Sequence, residues 1–227
     1  MKSNFKFIQC DCIEGDKVDL SQARAVIKYR PDIIIFEMPA GKNNPNTIFN
    51  RYSCTKKPIK VAAKIIKDLK ISARKYPYAL SDVAVWENII QLWQEGMNTE
   101  LYNVDAPAKL REEFYIFQKP VSRGYPAVRR DWLFWVYLYL RDSYMTQNIK
   151  IILDTYSVRP DPTILIFLQS IHWKNVRFLL TNPSKEKIWR YYFGRFKEIK
   201  PTPAIERQIK SRSPILNRFW RNVQKFY

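Results

Sequence analysis

Two apolar runs constrain this chain most: Ile33-Ile34-Ile35-Phe36 and Ile164-Leu165-Ile166-Phe167-Leu168. Successive side chains on a strand point to opposite faces, so a strand with one wet face alternates apolar and polar residues. Runs without that alternation need cover on both sides, which a parallel sheet between helical layers supplies. Pro31-Asp32 precedes the first run and Arg159-Pro160-Asp161-Pro162 the second, so the segments read as strands over Asp32–Met38 and Thr163–His172. Phe5–Cys12 and Glu100–Asp105 read as two further strands.

Helical patterns fill the intervals. Asp19, with Gln22 at the capping-box position, predicts a helix through Arg30, stopped by Pro31. Ile59–Lys75 carries Ala62, Ile66 and Leu69 on one face and Lys60, Lys64, Lys67 and Arg74 on the other. Ser81 opens a helix with Val85, Ile89 and Trp93 aligned, and Gly96 ends it. Further helices are expected around Pro107–Phe117, from near Pro126 to about Tyr156, over Trp173–Leu180 and near Glu186–Phe193. The order predicts an α/β fold: a mostly parallel central sheet flanked by helices, with a basic C-terminal extension. The division expected is a domain over 1–184 and an aromatic, basic extension over 185–227. Pro39–Pro58, rich in Asn, Pro and Lys, is long for a connection and reads as a candidate lid.

With 227 residues, 46% of them hydrophobic, the chain can bury a core, which excludes wholesale disorder. Three Cys do not make a disulfide scaffold, so a reducing cytoplasm is the expected compartment. Met1-Lys2-Ser3-Asn4 leads straight into strand-like sequence, with no signal-peptide pattern. No apolar run approaches the ~18–20 residues of a transmembrane segment. One His excludes any site built from several histidines.

The formal charge is +18, unevenly placed. Residues 185–227 hold 12 Lys/Arg against three Glu, and residues 56–75 hold eight basic groups against one Asp. Such clustering suits nucleic acid or another polyanion, and equally a solvated surface. The candidate polyanion-binding residues are Lys60, Lys64, Lys67, Arg74, Arg212, Arg218 and Arg221.

In open α/β sheets, ligands collect beyond the carboxyl ends of the strands. Cys10-Asp11-Cys12, Glu37, Asp105 and His172 end the four predicted strands. Together they could hold a divalent metal of unspecified identity, through Asp11, Cys12, Glu37 and His172. Glu37, Asp105 and His172 could equally form a carboxylate–imidazole site for acid–base catalysis. A hydrogen-bonded core histidine and small buried thiols are the plain alternatives. Glu37 is the hardest to dismiss, because a carboxylate ending an Ile-rich strand is seldom buried without a partner.

These residues carry a resemblance. Arg30-Pro31-Asp32 with the apolar run and Glu37-Met38 resembles the Pro-Asp, strand, Glu segment of the TraB/PrgY-like superfamily, whose relatives include TIKI proteases, ChaN and erythromycin esterases. Glu95-Gly96 followed by Leu101–Asp105 is similar to its Gly-then-Asp strand, and Arg141-Asp142-Ser143-Tyr144-Met145 to its Arg-Asp-x-x-Met helix. Ile164–His172 resembles its last strand with Gly-x-x-His, although Gln169 replaces the Gly. The first Gly-x-x-His is absent, and Gln9-Cys10-Asp11-Cys12 stands in its place. The resemblance implies a hydrolase of peptide, ester or amide bonds, with a metal as candidate cofactor and Arg51 as an added catalytic residue that orients Glu37 or grips a substrate carboxylate. Arg141 and Asp142 could form a pair locking the helix beneath the site, or be purely structural, the latter favoured because adjacent helix residues diverge. Two other functions fit: a catalytically degenerate module docking on nucleic acid or a ribonucleoprotein, and a Mg²⁺ nuclease using Asp11, Glu37, Asp105 and Asp142.

Overall fold

The structure, a computed structural model, describes residues 5–10, 13–14, 17–37, 50–52, 58–75, 79–106, 108–114, 132–156, 162–182 and 184–196, with 203, 207 and 221 singly. Strand β1 covers Phe5–Cys10, and a hairpin pairs β2 (Ile13–Glu14) with β3 (Lys17–Val18). Helix α1 (Ser21–Tyr29) leads into β4 (Ile33–Phe36). Next come β5 (Asn50–Tyr52), α2 (Pro58–Ala73), α3 (Ala79–Gln94) and β6 (Glu100–Asn103). Helices α4 (Ala108–Phe114) and α5 (Trp132–Tyr156), strand β7 (Ile164–Gln169), and helices α6 (Ser170–Thr181) and α7 (Lys185–Phe193) complete the order.

One sheet runs β1-β7-β4-β6-β5. Its first four strands are mutually parallel, and β5 closes the edge antiparallel to β6. The two apolar runs lie side by side, Ile33 opposite Ile164 and Ile35 opposite Ile166. Their side chains alternate between two cores. Ile34, Phe36, Leu101, Leu165 and Phe167 pack with α1, α2 and α3. Ile33, Ile35, Tyr102, Ile164, Ile166 and Leu168 pack with α5 and α6. Two-sided burial is therefore the physical reason that these strands lack polar alternation. A third cluster joins α4, α5, α6 and α7 through Phe114, Phe134, Tyr137, Leu138, Leu179, Tyr192 and Phe193.

Element ends follow local chemistry. Arg30 takes a left-handed conformation (φ 43°) to turn α1 into Pro31. Gly96 has φ +85°, where its N–H reaches the Trp93 carbonyl while the Met97 N–H reaches that of Leu92. That closure needs a residue without a Cβ penalty. At α1, Leu20 holds the N-cap position and offers no side-chain cap. Asp19 instead accepts from the Ser21 N–H and Ser21 Oγ, both at 2.8 Å, so the predicted capping box with Gln22 does not form. Gln22 is buried.

The chain passes from β1 to β4, outward to β6, then back across β4 to insert β7 between β1 and β4. That reversal places a crevice at the carboxyl ends of β4 and β7. Helix α7 packs on α5 and α6, with Tyr192 and Phe193 at 0% exposure. The described part of the expected extension, residues 185–196, thus packs against α5 and α6. No helix among the described residues is long and apolar enough to cross a membrane.

Candidate active site at the carboxyl ends of the strands

Three strand ends and two helices converge. Glu37 follows β4 directly; its N–H donates to the Phe167 carbonyl (3.1 Å), and its Oε2 accepts from the Gln169 N–H (3.2 Å). The carboxylate is thereby pinned over the β4–β7 junction. Asp105 lies two residues beyond β6, its N–H on Asn103 Oδ1 and its Oδ1 accepting from the Ala106 N–H at 2.7 Å.

Arg141, from the middle of α5, reaches both acids. Its Nε and Nη2 fork onto Asp105 Oδ1 and Oδ2, each at 2.8 Å, and Nη2 also meets Glu37 Oε1 at 2.6 Å. Nη1 lies 3.0 Å from His172 Nε2 and 3.4 Å from the Tyr137 hydroxyl. The planar guanidinium suits this task because its donors diverge in one plane. The Arg141 side chain is 11% exposed, whereas those of Glu37 and Asp105 are at most 2%. Arg141 is therefore the most exposed of these three.

His172 is 1% exposed. It does not end a strand, as the sequence pattern suggested; α6 begins at Ser170 and holds His172 in its first turn. Its Nδ1 lies 2.5 Å from Asp142 Oδ1. On the other oxygen, Asp142 Oδ2 accepts from Asn175 Nδ2 and the Tyr192 hydroxyl, both at 2.8 Å. Asn175 Oδ1 in turn accepts from the Tyr191 hydroxyl at 2.9 Å.

The partners assign the tautomer. A guanidinium only donates, so Nε2 accepts, and Nδ1 carries the proton given to Asp142. Burial pushes the imidazole pKa down, but Glu37 and then Asp142 outweigh it and hold it above the ordinary value. When His172 is protonated, Nη1 must leave Nε2; Glu37 Oε1, at 3.6 Å, is the acceptor within reach. Burial also works against the Arg141 cation, yet the hydrogen bonds to Asp105 and the charges of Glu37 and Asp105 hold it firmly protonated.

Of the sequence candidates, Glu37, Asp105 and His172 meet around Arg141. Asp11 and Cys12 lie outside the described residues. Arg51 sits in β5, beside β6 at the sheet edge, and its side chain is outside the described set. Among the described residues, no group of three or more His, Cys, Asp and Glu side chains is arranged to hold a metal. The guanidinium already engages Glu37, Asp105 and the His172 Nε2 atom, so these donors do not fit a metal ion as arranged. Asp142 faces away from Glu37 and Asp105, across the imidazole, which separates the acids of the expected Mg²⁺ set. Lys60, Lys64 and Lys67 are exposed on α2 and Arg74 in the turn after it, Arg221 is exposed, and Arg212 and Arg218 lie outside the described residues.

The pattern of residues did not point to Arg141 as the hub, nor to Asn175 and Tyr192 as partners of Asp142. Arg141 and Asp142 do diverge, as neighbours on a helix should, but the two nitrogens of one imidazole lie between them. Asn175, three residues after His172 on a helix, was the available signal, since that spacing shares a face. Comparison with protein-family models, with curated proteins and with solved structures gives no match to this chain.

Proposed function

We infer that this chain is a hydrolase of ester or amide bonds, in a peptide or a small molecule, with His172 as general base. The observation that carries the reading is the continuous line Asp142–His172–Arg141–Glu37 beyond the carboxyl ends of the strands. The resemblance to TraB-like proteins points to the same class of reaction.

The chemistry follows from the partners. A substrate carbonyl draws Arg141 Nη1 off the imidazole, and the guanidinium N–H groups donate to the carbonyl oxygen as negative charge develops on it. The freed Nε2 takes a proton from water as the water oxygen bonds to the carbonyl carbon. Asp142 and Glu37 stabilise the imidazolium. Collapse of the tetrahedral adduct breaks the bond to the alcohol or amine, which leaves with the proton from Nε2. General acid–base action of this kind contributes about 10²–10⁴-fold. A panel of activated esters, anilides and labelled peptides tests the reading. Wild-type turnover should fall by about that factor in His172→Ala and be weakened in Glu37→Gln. Turnover untouched in His172→Ala, or no turnover across the panel, overturns it.

A second reading rests on the exposed row Lys60, Lys64, Lys67 and Arg74, which supports docking on nucleic acid or another polyanion. It is compatible with the first, because α2 and the site are separate surfaces. The paucity of Cys favours a cytoplasmic setting.

A further inference from the structure

We propose that α7 is a positioning element of the site: Tyr192, supported by Tyr191 through Asn175, fixes the Asp142 carboxylate and so the tautomer of His172. The inference rests on the reading of His172 as a base, and it assigns a function to a segment whose sequence suggested an aromatic, basic extension.

Asp142 is buried at 0% exposure, and its two oxygens have divided duties. Oδ2 takes both neutral donors, Asn175 Nδ2 and the Tyr192 hydroxyl, which fixes the carboxylate plane. Oδ1 is left to the imidazole Nδ1. With Nδ1–H committed there, Nε2 is the basic nitrogen, and it faces Arg141 and Glu37. If the plane is freed, the hold on Nδ1–H loosens, and once Arg141 Nη1 turns away from Nε2 the imidazole can also hold its proton there, where it is useless as a base.

Tyr192 is built for this duty. Its ring is wedged edge-on against Tyr139 (5.1 Å between centroids), Tyr191 (5.2 Å) and Trp135 (6.1 Å), so the hydroxyl has one place to go. Burial and the Asp142 charge push its phenol pKa well up, so it stays a donor. Tyr191 stacks on Phe178 of α6 at 4.2 Å and orients Asn175 from outside. Apart from the Tyr191–Tyr192 pair within α7, these contacts link α7 to the two helices that carry Asp142 and His172.

Because the chain contains one histidine, an untagged, full-length, ¹⁵N-histidine-labelled protein reports on this imidazole alone. In wild type above the His172 pKa, Nδ1 should appear protonated and Nε2 unprotonated, with slow exchange of Nδ1–H. Tyr192→Phe keeps the ring and removes the hydroxyl. A mixture of tautomers and at least tenfold faster Nδ1–H exchange are expected, with kcat for any ester or amide substrate falling in step and KM holding. An unchanged tautomer ratio and exchange rate in folded Tyr192→Phe overturns the proposal. Should that variant not fold, Tyr191→Phe, at a half-buried position, decides. A smaller shift in the same sense supports the proposal, and a wild-type spectrum overturns it. The nuclear magnetic resonance readout needs no substrate, so a tautomer shift in a protein without hydrolytic turnover would keep the positioning and discard the hydrolase.

Discussion

Arg141 satisfies two buried carboxylates and one imidazole nitrogen with a single side chain. Removing it strands Glu37 and Asp105 without their counter-charge. Breaking a buried pair from one side costs about 3–5 kcal/mol. Arg141→Met should therefore show a loss of that size in urea unfolding at neutral pH. Arg141→Lys should recover little, since an ammonium cannot fork onto Asp105 while reaching Glu37 and His172. His172 adds a pH dependence of known sign. Its folded pKa is raised, so its stabilising contribution is complete below the unfolded value of about 6.5 and is lost as pH rises through the folded value. Between pH 6 and 9, the melting temperature of wild type should fall relative to His172→Gln. Hydrolysis should move oppositely, rising along a limb with an apparent pKa above about 6.5, because the base works only when neutral. A limb at or below that value would contradict the raised pKa.

At the scale of elements, α7 closes the core as well as the site. Tyr192 and Phe193 are both fully buried, and truncating a buried aromatic costs about 3–5 kcal/mol. A chain ending at residue 184 loses both, an amount comparable to the total stability of a typical domain. It should lack a cooperative unfolding transition by calorimetry; a folded fragment over 1–184 would show that α7 is dispensable. The strands were legible because two-sided burial writes itself into Ile33–Phe36 and Ile164–Leu168 with nothing polar between. The helices were legible from Ala62, Ile66 and Leu69, and from Val85, Ile89 and Trp93, which do face the core. The β7–α6 junction was not. Gln169-Ser170-Ile171-His172 contains no Gly or Pro, and a period of 2 cannot be told from 3.6 across four residues. His172 therefore read as the end of a strand. The hub role of Arg141 was illegible for a different reason: its partners come from β4, β6 and α6, and only tertiary structure brings them together.

The whole molecule separates two electrostatic regimes. The site gathers three carboxylates around one guanidinium and one imidazole, while the chain as a whole carries +18. Excess positive charge on α2 can draw polyanions without entering the buried network. Binding to a labelled duplex should weaken with salt, with a slope of about −0.9 per phosphate contacted. Lys60→Gln, Lys64→Gln and Lys67→Gln together should reduce that slope by about 2–3 and leave hydrolysis alone. Salt-independent binding would remove the polyanion reading.

The central place of β7 has a consequence for how the molecule is made. Glu37 emerges from the ribosome long before Gln169, its partner 132 residues later. At ~5–20 residues per second that gap lasts on the order of ten seconds. Throughout it, β1 and β4 have no strand to join them, and Ile33-Ile34-Ile35-Phe36 offers an open, sticky edge. One late segment then completes the sheet and delivers His172 in the same stroke. A nascent chain released before that point lacks a central strand of the sheet, and with it both His172 and the Gln169 N–H that pins Glu37.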